Sequence, residues 1–115
     1  MIDFEPGDIV LAPFPFSTLK GAKARPCLIL AHCAIPEDFV IAYISSSDLA
    51  SKLPMIVRIE HSSEIALTTG LKVTSYLRAD KLYTLHRSMV IGKIGILPPR
   101  LMAEAKSVLR KLFGL

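Results

Sequence analysis

Three places in the chain carry side chains suited to phosphodiester chemistry: Arg25, the run Ser45-Ser46-Ser47, and the pair Arg78 and Asp80. Arg78 and Asp80 are two residues apart, so on a strand both side chains project from the same face. A guanidinium beside a carboxylate can bind a phosphodiester and take a proton from a neighbouring hydroxyl. The same spacing is also typical of an exposed ion pair, which contributes about 0–1 kcal/mol. The spacing alone leaves both interpretations open.

Arg25 precedes Pro26, which favours an extended backbone at the junction between a loop and a strand. This position suits a phosphate contact because arginine presents a rigid fork of donors. An ion pair with an acid, or hydrogen bonds to loop carbonyls, are the alternative roles. Ser45 and Ser46 can donate a hydroxyl to a phosphate oxygen, or the serine run can cap a short helix.

An acid-free window surrounds Arg25. Residues 9–36 contain no acid, and their only formally charged side chains are Lys20, Lys23 and Arg25. Proline and glycine punctuate this segment between two apolar stretches, which predicts a loop between two strands. A basic loop held by two rigid strands can present its cations to an anionic ligand.

The composition bounds the class of protein. At 115 residues the chain is predicted to be one domain, 1–115, and no apolar run approaches the roughly 20 residues of a membrane span. Acids rather than a basic cluster stand near the N-terminus, so we expect no secretory leader and a cytoplasmic location. The 51% apolar content predicts a tight core plus a subunit interface, hence a homodimer. The net charge of +4 is weak evidence for nucleic acid, because residues 98–115 carry four cations against one acid.

The histidines and cysteines form no metal or catalytic pattern by spacing. His32, His61 and His86 are scattered, and each is expected to be solvent-exposed or satisfied locally. Cys27 and Cys33 match no zinc motif, and we expect two reduced thiols that behave as small buried hydrophobic groups. The chain also has no phosphate-binding glycine loop and no metalloprotease motif, so the sequence predicts neither a cofactor nor a metal.

Hydrophobic patterning predicts six short strands, one helical turn and one long helix. The predicted strands are 8–13, 25–31, 39–45, 55–60, 75–82 and 90–97. The turn covers 49–53 after the serine run, and Gly92 and Gly95 predict a bulge or a bend in the last strand. The helix begins near Pro99, and its apolar face comprises Leu101, Met102, Ala105, Val108, Leu109, Leu112 and Phe113. This order predicts a mainly β (α+β) fold, a small barrel of bent antiparallel strands with a C-terminal amphipathic helix.

Taken in chain order, several segments resemble the PemK/MazF family of toxin endoribonucleases, in particular its PemK-like branch. The resemblance covers nearly the whole chain. Its most specific parts are the strand–loop–strand block around Arg25-Pro26 and the run Arg78-Ala79-Asp80, and the loop Pro13-Phe14-Pro15-Phe16 favours the PemK-like branch. The matching segments are Gly7-Asp8-Ile9-Val10, Arg25-Pro26, Ile44-Ser45-Ser46, Thr69-Gly70-Leu71, Tyr76-Leu77-Arg78-Ala79-Asp80-Lys81 and Thr84-Leu85.

The resemblance implies a dimeric SH3-like or plasmid-toxin barrel that serves as the toxin of a type II toxin–antitoxin system. Its implied activity is metal-independent cleavage of single-stranded mRNA through attack of a 2′-hydroxyl, which leaves a 2′,3′-cyclic phosphate. The family roles imply that Arg25 and Ser45 hold the scissile phosphate and that Asp80 deprotonates the attacking hydroxyl. Some members assign the acid to the position of Arg78. A guanidinium with a pKa above about 12 is a poor proton donor, so we expect Arg78 to stabilise the phosphorane instead.

RNA contacts beyond the reacting phosphate are expected from Lys20, Lys23, Ser46, Tyr83 and His86. Tyr83, beside His86 in the predicted loop after the fifth strand, can stack on a nucleobase or form only part of the rim. Ser45 stands where the family usually has threonine, Tyr83 where a basic residue is common, and His86 where an acid is common. These differences bear on the cleavage sequence more than on the reaction type.

Two further hypotheses stand beside the endoribonuclease. The chain can be a non-catalytic toxin of the same fold that binds a protein target such as DNA gyrase, or a degenerate, inactive homologue. The expected partner of a toxin is a cognate antitoxin, whose acidic, disordered tail would fold over Lys20, Lys23 and Arg25.

Overall fold

A computed structural model describes residues 4–13 and 24–115, so the predicted basic contacts Lys20 and Lys23 lie outside the described residues. The described chain forms one antiparallel sheet, two α-helices, and 3₁₀ turns at Asp48–Lys52 and Arg87–Met89. The strands are β1 (Asp8–Pro13), β2 (Ala24–His32), β3 (Asp38–Ser45), β4 (Ile56–Ile59), β5 (Ser75–His86) and β6 (Gly92–Ile96). The helices are α1 (Ser63–Thr69) and α2 (Pro99–Phe113).

The six strands are ordered β4-β5-β3-β2-β1-β6, and every neighbouring pair is antiparallel. Register shifts interrupt three of the ladders, including the one between β1 and β6 at Ile9 and Val10, opposite Gly95. Such irregularities bend strands and increase their twist, so the sheet curls into a half-barrel. The predicted mainly β fold with bent antiparallel strands, and the bulge predicted from the glycines, are confirmed.

Alternation along the strands gives the sheet two apolar faces. One face buries Ile9, Leu28 and Ile44 against Leu101 and Ala105 of α2. The other face carries a second buried cluster: Val10, Ala12, Cys27, Ile29, Phe39, Ile41 and Leu85, with Phe4, Tyr43 and Val90 packed beside it. Residues on this second face therefore project away from α2.

The helix α2 matches its predicted start and almost all of its predicted apolar face. Proline at its first position needs no intrahelical donor, and Gly114 ends it in a left-handed conformation with φ of 69°. Leu101 and Ala105 are buried, as predicted, but Phe113 is 59% exposed. Phe113 lies in the last turn, beyond the part of the helix that packs on the sheet.

The sequence reasoning missed one helix and placed the end of one strand wrongly. The helix α1 was not predicted: Ser62 caps it by accepting from the Ile65 amide at 3.2 Å, and Gly70 ends it with φ of 73°. A helix of two turns carries too short an apolar pattern to be distinguished from a loop. The strand β5 runs to His86 rather than ending at residue 82, so Tyr83 lies in a strand and not in a loop.

Gly95 in β6 provides a test of how tightly α1 packs on the sheet. A Cβ added at Gly95 would collide with backbone atoms of Thr68 and Thr69, whereas one at Gly92 of the same strand would meet nothing within 4 Å. Backbone cannot move aside as a side chain can, so Gly95→Ala should lower the free energy of unfolding by about 2–3 kcal/mol. Gly92→Ala, the matched control, should change it by less than about 0.5 kcal/mol. Equal urea-unfolding midpoints for the two variants would contradict this packing.

Candidate functional site

Strand register brings three of the predicted site residues together around Tyr43. Tyr43 of β3 pairs with Cys27 of β2 on one side and with Arg78 of β5 on the other. Ser45 lies two residues beyond Tyr43, and Arg25 lies two residues before Cys27, so both face the same side of the sheet at the same end of their strands. Arg25, Ser45 and Arg78 thus surround Tyr43 on the face opposite α2.

A bulge of three residues in β5 positions the fourth predicted residue. Ala42 pairs with Leu82 while the next residue of β3, Tyr43, pairs with Arg78, which leaves residues 79–81 unpaired with β3. The Ala79 amide donates instead to the Met55 carbonyl at 3.1 Å, which ties the bulge to the start of β4. Asp80 lies in the middle of this bulge, two residues after Arg78.

Arg78 and Asp80 form a bidentate ion pair. Arg78 Nε donates to Asp80 Oδ1 at 2.8 Å and Nη2 donates to Oδ2 at 3.2 Å, with 21% and 31% of the two side chains exposed. The hydrogen bond from Arg78, with the nearby charges of Arg78 and Lys81, lowers the pKa of the Asp80 carboxyl. The same hydrogen bond raises the pKa of the Arg78 guanidinium. Both groups are therefore ionised at neutral pH, and the shared face expected from their spacing is present.

Arg25 differs from Arg78 in having an unsatisfied donor. Its Nε is buried and has no hydrogen-bond partner within the part of the chain that the structure describes. A buried donor without a partner is costly, about 1–3 kcal/mol. An anionic oxygen bound beside Arg25 would supply that partner.

The two roles predicted for the serine run, capping of a short helix and donation to a phosphate, fall to different serines. Ser45 is buried, and its Oγ accepts from the Ser47 amide at 3.1 Å. Ser47 caps the following 3₁₀ turn by accepting from the Leu49 amide at 3.2 Å. Ser47 is therefore the capping residue, while the hydroxyl of Ser45 can still donate its hydrogen to a ligand. Ser46, which lies between them, is exposed.

Tyr83 and His86 lie progressively farther from this cluster. Tyr83 pairs with Ile41 on the same face as Tyr43 and is 37% exposed. His86 pairs with Asp38, five residues along β3 from Tyr43, a separation of roughly 17 Å. The His86 Nδ1 accepts from the Ser88 amide at 3.0 Å and so caps the second 3₁₀ turn. The structure brings Tyr83 near the site and leaves His86 at the other end of the strand.

A separate groove of about 390 Å³ lies where β4 meets the two helices. Its lining mixes cations and acids: Arg58, Glu60, Ser62, Ile65, Arg100, Leu101 and Glu104. Arg58 pairs with Tyr76, which pairs in turn with Ser45, so the groove begins one strand away from Arg78 and two strands away from Ser45. Its mixed charge does not favour an anion as clearly as the cluster does.

The remaining predicted features are structural. Cys27 is buried with its Sγ 3.7 Å from the Val10 carbonyl oxygen, whereas Cys33 is only half-buried, contrary to expectation. No group of three histidine, cysteine, aspartate or glutamate side chains among the described residues could hold a metal ion. None of the helices in residues 4–13 and 24–115 is long and apolar enough to cross a membrane.

Comparison with known protein families shows to which family the chain belongs. Residues 5–113 match the model of the PemK-like, MazF-like toxin of type II toxin–antitoxin systems. No curated protein sequence matches the chain significantly.

Solved structures match the whole fold at low identity. An endoribonuclease in complex with its cognate antitoxin from a mycobacterial species is 20% identical, with a TM-score of 0.75, covering 98% of this chain and 97% of that chain. MazF from Deinococcus radiodurans is 22% identical, with a TM-score of 0.73 and coverage of 98% and 100%. The Mycobacterium tuberculosis toxin MazF-mt6 is 21% identical, with a TM-score of 0.71 and coverage of 94% and 97%. These likenesses establish the fold.

The reactivity of the two cysteines tests whether Cys27, the strand partner of Tyr43, is buried. Burial raises the pKa of the Cys27 thiol to about 12, so it should not react with iodoacetamide at pH 8 in the folded protein. Cys33 is half-buried and should be modified first. Mass spectrometry of peptides after brief labelling, with and without urea, distinguishes the two. Labelling of Cys27 at the rate of Cys33 without urea would contradict the burial of Cys27 next to Tyr43.

Proposed function

The chain belongs to the PemK-like, MazF-like toxins of type II toxin–antitoxin systems, and we propose that it is a metal-independent endoribonuclease that cleaves single-stranded mRNA. The observation that supports this most is the buried Nε of Arg25, which has no hydrogen-bond partner in residues 4–13 and 24–115 and lies at the same end of the sheet as Ser45 and the Arg78–Asp80 pair. A phosphodiester oxygen would satisfy this donor. The 2′-hydroxyl next to a scissile phosphate would then lie within reach of a carboxylate.

The proposed reaction uses four side chains. Arg25 and Arg78 bind the non-bridging oxygens of the phosphate, and the Ser45 hydroxyl donates to one of them. Asp80 takes the proton of the 2′-hydroxyl as its oxygen attacks phosphorus. The bond to the 5′-oxygen breaks, that oxygen takes a proton from water, and the proton on Asp80 neutralises the hydroxide that remains, which restores the carboxylate. The products are a 2′,3′-cyclic phosphate and a 5′-hydroxyl.

The Arg78–Asp80 ion pair determines that substrate binding comes before proton transfer to Asp80. While Arg78 holds both carboxylate oxygens of Asp80, the carboxylate is a weak base because its pKa is lowered. A phosphate that competes for the Arg78 guanidinium loosens the pair and raises the basicity of Asp80. Substrate binding thereby produces the base where it is needed.

The proposed partners follow from the family and from the surface. The chain acts as a cytoplasmic homodimer, as its family implies, and exposed apolar side chains such as Leu49, Leu67 and Ile91 are candidates for contact with a second copy. An antitoxin with an acidic, disordered tail binds over Arg25 and the basic residues preceding it. The similar mycobacterial endoribonuclease was solved with its cognate antitoxin, which supports this proposal.

A non-catalytic toxin of the same fold, one that inhibits a protein such as DNA gyrase, is the second candidate. One observation favours it: Asp80 is already neutralised by Arg78, as in a purely structural ion pair. An RNA cleavage assay separates the two candidates.

Substitution of Arg25 tests the proposed activity. Purified protein is incubated with several long single-stranded RNAs in EDTA, and the cut ends are mapped. Loss of one contact to the transition state should make Arg25→Ala slower by about 10²–10³-fold. Arg110→Ala, on the exposed last turn of α2, is the matched control and should cleave as the wild type does. Intact RNA after incubation with the wild type would favour the non-catalytic toxin.

The pH dependence of cleavage tests the proposed base. The pKa of the Asp80 carboxyl is below its usual value, so the carboxylate stays ionised as the pH falls to 5. Cleavage, measured as kcat/KM, should therefore be retained at pH 5 and be lost only below the usual carboxyl range, about pH 4. Arg78→Met removes the cause of the lowered pKa and should shift the acid limb upward. A loss of activity centred between pH 6 and 7 would instead indicate a histidine base.

A further inference from the structure

We propose that Tyr43 and Lys81 form a nucleobase-binding subsite beside the Arg78–Asp80 pair. A base of the RNA stacks on the Tyr43 ring, and Lys81 moves from that ring to an adjoining phosphate. The proposal rests on the proposed endoribonuclease function and deepens it, since it identifies the side chains that contact a base next to the scissile bond.

The Tyr43 ring is held at the centre of the cluster. Its backbone pairs with β2 at Cys27 and with β5 at Arg78, and the half-buried side chain packs beside the second apolar cluster. An aromatic ring fixed by a sheet on both sides loses little conformational entropy when a base stacks on it. Tyr43 is therefore a better platform than a tyrosine on a loop would be.

Lys81 places a cation over this platform. Its Nζ lies 5.5 Å from the centroid of the Tyr43 ring, and its charge contributes to the lowered pKa of the Asp80 carboxyl. The lysine thus lies near both the ring and the proposed base. Stacking of a nucleobase on an aromatic ring is typically stronger than an exposed contact between lysine and a ring. A base can therefore displace Lys81, and the long, flexible side chain can carry its ammonium to a phosphate.

Tyr83 extends the same surface. It pairs with Ile41, two residues and about 7 Å along β3 from Tyr43, and it faces the same side of the sheet. Two tyrosines, a lysine over the Tyr43 ring and Arg78 paired with Tyr43 combine aromatic and basic groups. This combination is typical of surfaces that bind single-stranded nucleic acid through stacking and backbone phosphates.

The subsite can be tested by binding, without cleavage. The probe is a fluorescein-labelled pool of random 2′-O-methyl RNA heptamers, which lack the attacking hydroxyl, and the dissociation constant is measured by fluorescence anisotropy. Tyr43→Leu should weaken binding about tenfold, whereas Tyr43→Phe, which keeps the ring, should bind as the wild type does. Lys81→Gln should weaken binding and reduce the slope of log K against log salt by about one. Thermal unfolding of each variant shows whether the fold is kept, and if Tyr43→Leu does not fold, the salt slope of Lys81→Gln decides.

Cleavage of a long RNA by the same variants separates this proposal from the proposed function. Tyr43→Leu should change the base preference at the mapped cut, and Tyr43→Phe should preserve it. Wild-type cleavage combined with unchanged binding and cutting by Tyr43→Leu would overturn the subsite and leave the nuclease. Wild-type binding that depends on Tyr43, without cleavage, would support the subsite and overturn the nuclease. A wild type that neither binds nor cuts would overturn both.

Discussion

The bulge in β5 is the constraint on which the candidate site depends. In a regular ladder the residues that follow Arg78 would pair in turn with Ala42, Ile41 and Val40, but Ala42 pairs instead with Leu82. Within the resulting bulge, Asp80 accepts two hydrogen bonds from Arg78, and the Nζ of Lys81 lies 5.5 Å from the centroid of the Tyr43 ring. Bulges often re-aim side chains next to active sites, and here one bulge positions a carboxylate and a cation together.

The site is electrostatically asymmetric. Arg78 gives its Nε and one Nη2 hydrogen to Asp80, while Arg25 keeps a buried donor without a partner among the described residues. An anion that bonds this Arg25 donor displaces no partner within the described residues. An anion that takes the Arg78 donors held by Asp80 releases a carboxylate. Binding and base formation are thus linked through a single ion pair.

Much of the fold followed from the sequence, because its signals are local. The first strand was predicted at Asp8–Pro13, which are its bounds within the described residues, and α2 was predicted from Pro99 and its apolar spacing. The shared face of Arg78 and Asp80 followed from their two-residue separation. The bulge did not follow, because it is defined by the register of β5 against a strand more than 30 residues away. Tyr43 was missed for the same reason: within its own strand it is indistinguishable from a core residue.

The chemistry of the RNA ends tests the central claim most directly. An RNA cut by the protein at a mapped position is synthesised with a single 2′-deoxynucleotide on the 5′ side of that bond, and the products are analysed by mass spectrometry. Attack by the 2′-oxygen predicts that the unmodified RNA yields a 2′,3′-cyclic phosphate and a 5′-hydroxyl, and that the deoxy-substituted bond stays intact. Cleavage at the deoxy position, or products with 5′-phosphate ends, would contradict the mechanism in which Asp80 deprotonates the 2′-hydroxyl.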